Sequence, residues 1–251
     1  MQKILVPSLI ALAVASLTSV AQAQTTPAPA PAAAPASTLA FNAGVVSDYR
    51  YRGISQSRLN PAVQGGIDYT DKSGFYVGAW GSSIKWIKDA GGDGDVEIDL
   101  YGGYKATAGD LTYDVGFLRY QYPTNNLAVS ANTNEVYGAL TYGIYTAKYS
   151  HAVSNLFGFG DSKNSYYLDL SAAYDLGNGL TLTPHVGRQS VKNSSAFSYN
   201  DYALTLAKDL GKGLSASAAV IGTDADKVLY VTPAGKFTGK TGLVLGLKYT
   251  F

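Results

Sequence analysis

The sequence predicts an all-β fold: a transmembrane antiparallel up-and-down β-barrel of about twelve strands, after a cleaved signal peptide and a Pro/Ala-rich linker. Three observations predict it. From Ala40 to the carboxyl end, segments of about 9–11 residues alternate apolar and polar with period two, the length that a tilted membrane strand requires. The connections between these segments alternate short and long. The last segment, Gly242 to Phe251, sets Leu243, Leu245, Leu247, Tyr249 and Phe251 on one face against Val244, Gly246, Lys248 and Thr250 on the other, and it ends on an aromatic residue.

Composition supports this class and excludes others. Charged residues are 15% of the chain, while Tyr reaches 20 and Gly 28. Tyrosine suits a membrane interface, where its ring sits in lipid and its hydroxyl among headgroups. There is no Cys, so neither a disulfide nor a lipid-bearing amino-terminal cysteine is expected. Of 19 basic residues only Lys3 precedes residue 24, which leaves 18 against 18 acidic ones. A balanced chain without a basic run gives no electrostatic case for a nucleic-acid partner.

Taken in order, residues 1–23 read as an export signal. Lys3 supplies the positive start, Ile4 to Val20 the apolar stretch, and Ala21-Gln22-Ala23 the small-x-small site, with cleavage after Ala23. Residues 24–38 form a Pro/Ala-rich periplasmic linker that favours extended polyproline conformations. The barrel then occupies 39–251. Its first strand is read as Phe41–Arg52, with Phe41, Ala43, Val45, Tyr49 and Tyr51 on the apolar face. Next come Ala62–Thr70, Gly74–Ile84, Val96–Ala106, Leu111–Tyr120 and Asn134–Tyr142. Tyr145–His151, Ser165–Tyr174, Leu180–Gln189, Asp201–Lys208, Leu214–Thr223 and Thr241–Phe251 complete the set. Short turns rich in Gly, Asp and Asn, such as 107–110 and 209–213, are expected on the periplasmic side. Longer loops such as 53–61, 121–133 and 224–240 are expected outside.

Alternation does not itself say which face is inside. A barrel of about twelve strands is wider than the ~8 whose interior side chains can fill, so an apolar lumen would be left empty. Acids and bases recur on the polar face, and aromatic residues gather near strand ends on the apolar one, as lipid outside and water inside require. The polar parity makes these residues candidates for lining a pore: Asp48, Arg50, Arg52, Asp68, Tyr76, Trp80, Glu97, Asp99, Tyr101, Lys105, Asp114, Glu135, Tyr137, Lys148, Asp169, His185, Asp201 and Lys248. Among them eight acids oppose five Lys and Arg residues, an excess that predicts weak cation selectivity. Asp48, Arg50 and Arg52 suit either an ion-pair ladder with neighbouring acids or a solute-binding group. Tyr76, Trp80, Tyr101 and Tyr137 suit either an aromatic slide for solutes or bore filling.

The run Val46-Ser47-Asp48-Tyr49-Arg50-Tyr51-Arg52-Gly53-Ile54-Ser55-Gln56, followed by Pro61 to Tyr69, resembles the opening of the TorF family of porins. Gly74 to Ser82, Glu97 to Tyr104, Leu111 to Gly116, Tyr120 to Pro123 and Asn134 to Tyr137 continue the likeness, which is strongest before Leu140. The resemblance implies a bacterial outer-membrane channel for small hydrophilic solutes or ions, and it carries over no site residues. Outer-membrane lipid is the expected surrounding, and Phe251 the expected handle for the barrel-assembly machinery. A plugged structural or adhesin-type barrel is the alternative.

No enzyme chemistry, cofactor or metal is expected. An outer-membrane lipid-modifying enzyme would need a nucleophile with its base and orienting group. His151 beside Ser150 belongs to no such motif. Asp95, Glu97 and Asp99 lack the spacing of a calcium loop, and alternate acids on a strand simply share one face.

Overall fold

The computed structural model describes residues 37–251, so the expected signal peptide and nearly all of the expected linker lie outside the described residues. Twelve antiparallel strands form the wall. β1 is Thr38–Val46, β2 Ala62–Thr70, β3 Phe75–Ser83, β4 Val96–Ala108, β5 Leu111–Gln121 and β6 Thr133–Tyr142. β7 is Tyr145–Ala152, and β8 runs Tyr166–Ala172 and resumes past Ala173 as Tyr174–Gly177. β9 is Leu180–Ser190, β10 Tyr199–Gly211, β11 Leu214–Thr223 and β12 Gly242–Thr250. Each strand pairs with its sequence neighbours, and β1 pairs with β12, which closes the sheet. Phe41 and Phe251 exchange backbone hydrogen bonds of 2.8 and 3.0 Å at that seam.

The wall follows the alternation read from the sequence, turned inside out relative to a water-soluble barrel. Along β4, Val96 and Leu100 are 42% and 47% exposed, while Glu97 and Asp99 are 1% and 0% exposed. Acids are therefore enclosed and aliphatics bare, the pattern of a wall whose outer solvent is hydrocarbon. Aromatic residues gather at both ends of this face. On the end that carries the termini, Phe41 and Tyr249 stack on Phe251, and Phe75 packs on Tyr104 at 4.9 Å. On the opposite end Tyr149 stacks on Tyr166 at 5.7 Å. The turns at the terminal end are short, and Gly211, Lys212 and Gly213 make one with φ of 84°, 53° and 81°. A side chain at Gly213 would strike the Thr250 carbonyl at 2.1 Å, so glycine is needed there.

One expected strand is corrected. The first strand stops at Val46 and does not continue to Arg52. Ser47 makes the last wall contacts: its N–H donates to the Leu245 carbonyl (2.8 Å) and its Oγ accepts from the Leu245 N–H (2.9 Å). The chain then leaves the sheet. Tyr49 and Tyr51, which parity placed on the lipid face, are 1% and 7% exposed inside the barrel. From Ser47 to Ser57 the chain folds into the lumen from the long-loop end.

Candidate functional site

The inner segment is a hairpin built from local chemistry. Arg50–Tyr51 pairs with Ile54–Ser55, and Arg52 and Gly53 make the turn with φ of 46° and 79°. A side chain at Gly53 would lie 2.4 Å from Thr223 Cγ2, so only glycine lets the tip approach β11. Asp48 organises the base: it accepts from Ser55 Oγ (2.5 Å) and Ser57 Oγ (3.1 Å) and pairs with Arg50. Arg50 also donates to the carbonyls of Gly53, Thr238 and Lys240 at 3.0–3.1 Å, which ties the hairpin to the loop before β12. From the other side, the N–H of Lys85 donates to the Gln56 carbonyl at 2.7 Å.

Across the lumen the hairpin hydrogen-bonds to four strands and packs on two more. Arg52 donates to both oxygens of Glu135 on β6 (2.7 and 3.0 Å) and to Gln189 Oε1 on β9 (2.6 Å). Its guanidinium lies 4.8 Å from the Tyr51 ring centre and 4.4 Å from that of Tyr167. Tyr51 donates to the Tyr120 hydroxyl on β5 at 2.7 Å, and Tyr49 donates to Glu97 on β4 at 2.5 Å. Tyr49 also packs edge-on against Trp80, with ring centres 5.5 Å apart. A buried, bidentate Arg–carboxylate pair is specific in geometry, and losing one partner costs about 3–5 kcal/mol because the other charge is stranded. A small cavity lined by Arg50, Arg52, Tyr167, His185 and Asp201 lies beside the docked hairpin.

Seventeen of the eighteen residues that the alternation nominated stand in three groups, and Trp80 packs against Tyr49 of the hairpin. Asp48, Arg50 and Arg52 arrive on the hairpin and not on a strand. Of the two readings for them, Arg52 forms an ion pair, but with a carboxylate 83 positions away and not with an adjacent-strand ladder. In the outer half of the wall stand Glu97, Asp99 and Glu135, and beside them His185 lies between Asp169 (3.3 Å) and Asp201 (2.8 Å), with the Tyr167 hydroxyl at 3.1 Å. The half nearer the termini holds Asp68, bonded by the Tyr101 hydroxyl, and Asp114, bonded by Tyr76 at 2.6 Å. Tyr76 meets the Tyr137 hydroxyl at 2.5 Å, and Lys148 sits 4.2 Å over the Tyr137 ring. Lys105 stands opposite Asp114, and Lys248 opposite Gly44. The aromatics thus hold acids or pack the hairpin, which is the bore-filling arrangement and not a file of stacked rings.

Sequence reasoning missed Tyr49, Tyr51, Tyr120, Tyr167 and Gln189. Gly53, read as the start of the loop 53–61, is the hairpin tip, with φ of 79°. His151 and Ser150 face opposite sides of β7: His151 bonds Tyr149 and Asn164 outside, while Ser150 is buried inside. Asp95 pairs with Lys88 at 3.0 Å in the loop before β4, and the Lys88 ammonium holds its carboxyl below the usual range. Among the described residues no group of three His, Cys, Asp or Glu is spaced to hold a metal ion.

Comparison with known proteins places this geometry. The KdgM porin superposes with a TM-score of 0.54 at 10% identity, over 86% of this chain and 99% of that one. The NanC porin does so with 0.54 at 11% identity, over 84% of this chain and 99% of that one. At such identities the likeness is one of fold. No curated protein matches the sequence. A family model described as a bacterial protein of unknown function matches residues 30–251, which include the whole barrel, and the chain therefore belongs to the Gcw_chp family, built on a porin-type barrel.

Proposed function

We propose that this protein is a bacterial outer-membrane channel for passive passage of small hydrophilic solutes or ions. The observation that carries the reading is the lumen itself: twelve strands turn charged and hydroxyl-bearing side chains inward behind an apolar exterior. Water and polar solutes fit such an interior, and hydrocarbon fits such a wall. The sequence likeness of Val46–Gln56 to TorF-family porins supports the same reading. Residues 1–23 would direct export with cleavage after Ala23, the linker would lie in the periplasm, and Phe251 would present the carboxyl end to the assembly machinery.

The hairpin makes this a restricted channel, since Asp48 to Ser57 are all buried in the outer lumen. That burial also favours a second reading, a closed barrel that serves as an envelope anchor or adhesin. Planar-bilayer recording of the full chain separates the two. A channel gives discrete steps of small conductance, and replacing Asp48–Ser57 by a two-residue turn enlarges them several-fold. Silence from both forms, in preparations where the barrel is folded, would refute the channel. Liposome swelling with neutral, anionic and cationic solutes then grades the passage by size and charge.

A further inference from the structure

Among the described residues, one carboxylate of the outer lumen has no hydrogen-bond partner. Asp99 is 0% exposed, and neither of its oxygens meets a hydrogen-bond donor. It shares the inward face of β4 with Glu97, and its cross-strand partner Tyr120 reaches Glu135 through its hydroxyl at 3.3 Å. Glu97 receives the Tyr49 hydroxyl and no cation. The cation that serves this patch is Arg52, which belongs to the hairpin and not to the wall. It satisfies Glu135 and Gln189, leaves Asp99 bare, and keeps its own Nε without a partner. Burying an unpartnered carboxylate is costly, so a patch with such a group is incomplete as it stands.

The chemistry that would complete it is specific. The acids are not spaced for a metal ion. Carboxylates edged by the rings of Tyr120 and Tyr167 instead suit a planar or bulky organic cation, which pairs with the acids and lies against aromatic faces, as Arg52 already does on Tyr167. We propose that Glu97, Asp99 and Glu135 form a binding site for a small guanidinium or ammonium compound, with Arg52 as its internal stand-in when no solute is bound. The proposal rests on the channel reading for the route of entry through the outer mouth. A free cation that takes Glu135 from Arg52 also satisfies Asp99, which the tethered group does not. Its entry therefore releases the hairpin tip.

Trp80 reports on this event, because it packs against Tyr49 of the hairpin and shares the sequence with only one other tryptophan, Trp86. The full chain carrying Trp86→Phe, folded in micelles, is titrated with agmatine, and Trp80 emission is followed with glucose and acetate as controls. A saturable change with agmatine alone is expected. Arg52→Ala, which removes the competitor, should lower the half-saturating concentration at least tenfold. The near-isosteric Asp99→Asn should raise it at least tenfold. Absence of saturation in both the parent and Arg52→Ala, or an Asp99→Asn titration that overlays the parent, overturns the site. If Arg52→Ala does not fold, the parent and Asp99→Asn titrations decide alone. Bilayer recording keeps the two readings apart. Saturable binding with no current, even from the hairpin-deleted form, sinks the channel and leaves the site; current without saturable binding sinks the site and leaves the channel.

Discussion

β4 and the inner hairpin carry the same kind of sequence and meet opposite fates. Glu97, Asp99 and Tyr101 alternate with Ile98 and Leu100 and stay in the wall, paired to β3 throughout and to β5 from Ile98 onward. Asp48, Arg50 and Arg52 alternate with Tyr49 and Tyr51 just as regularly, yet the segment leaves the sheet after Ser47. The outward residues explain the difference. Ile98 and Leu100 are aliphatic and ask nothing of lipid, whereas Tyr49 and Tyr51 carry hydroxyls that find Glu97 and Tyr120 inside. Alternation thus does not by itself code a membrane strand, because inward partners for the outward set can draw a segment off the sheet.

That contrast can be broken most forcefully at the hairpin's ion pair. Glu135→Ala should strand Arg52 and cost hairpin docking about 3–5 kcal/mol, read as faster hydrogen exchange across Arg50–Ser55 with wall amides unchanged. Unchanged hairpin protection would show that Arg52 does not hold it. On the wall, Leu100→Arg should destabilise the barrel by about 2–4 kcal/mol in denaturant titrations in lipid vesicles if it lies near the midplane, and less toward a rim. The same titration on Glu135→Ala should move far less, because the barrel survives an undocked hairpin.

Smaller changes sharpen the comparison. Gly53→Ala forces a side chain onto Thr223 at a positive φ, so the tip should retreat at a cost of about 1–3 kcal/mol, visible as raised single-channel conductance. Tyr51→Phe removes one hydroxyl from Tyr120 and should loosen the tip by about 1 kcal/mol in the same exchange experiment. If Tyr51→Phe exceeded Gly53→Ala, the tip would be held by hydroxyl bonding more than by shape.

The wall was legible because a strand's two faces are written into its own residues. Ala62–Thr70 and Leu214–Thr223 match the expected bounds residue for residue, and the short turns carry the Gly and Asn their backbones require. The inward set was legible for the same reason. The hairpin was not, because what draws it inside lies elsewhere in the chain. Glu135 and Gln189 are 83 and 137 positions from Arg52, and the carbonyls of Thr238 and Lys240 that receive Arg50 have no side-chain signature at all. Expected selectivity changes with it. Asp48 and Glu135 are neutralised by Arg50 and Arg52, and of the other six acids Glu97 and Asp99 lie sealed beneath Tyr49 and the hairpin. They act on passing ions only once the hairpin moves.

The seam between β1 and β12 gives the hairpin a place in time as well as in space. The seam joins residues some two hundred positions apart, and its partner Gly242–Thr250 is the last strand to be made. Ring closure of that span is the slowest contact to form in an assembly ordered along the chain. Ser47, the root of the hairpin, is clipped to Leu245 on that final strand. The hairpin's anchor is therefore completed only when the cylinder shuts, and the segment is enclosed by the same event that seals the wall. From then on it can leave only along the barrel axis, through the outer mouth, so any opening is a withdrawal toward the long loops and never a swing through the sheet.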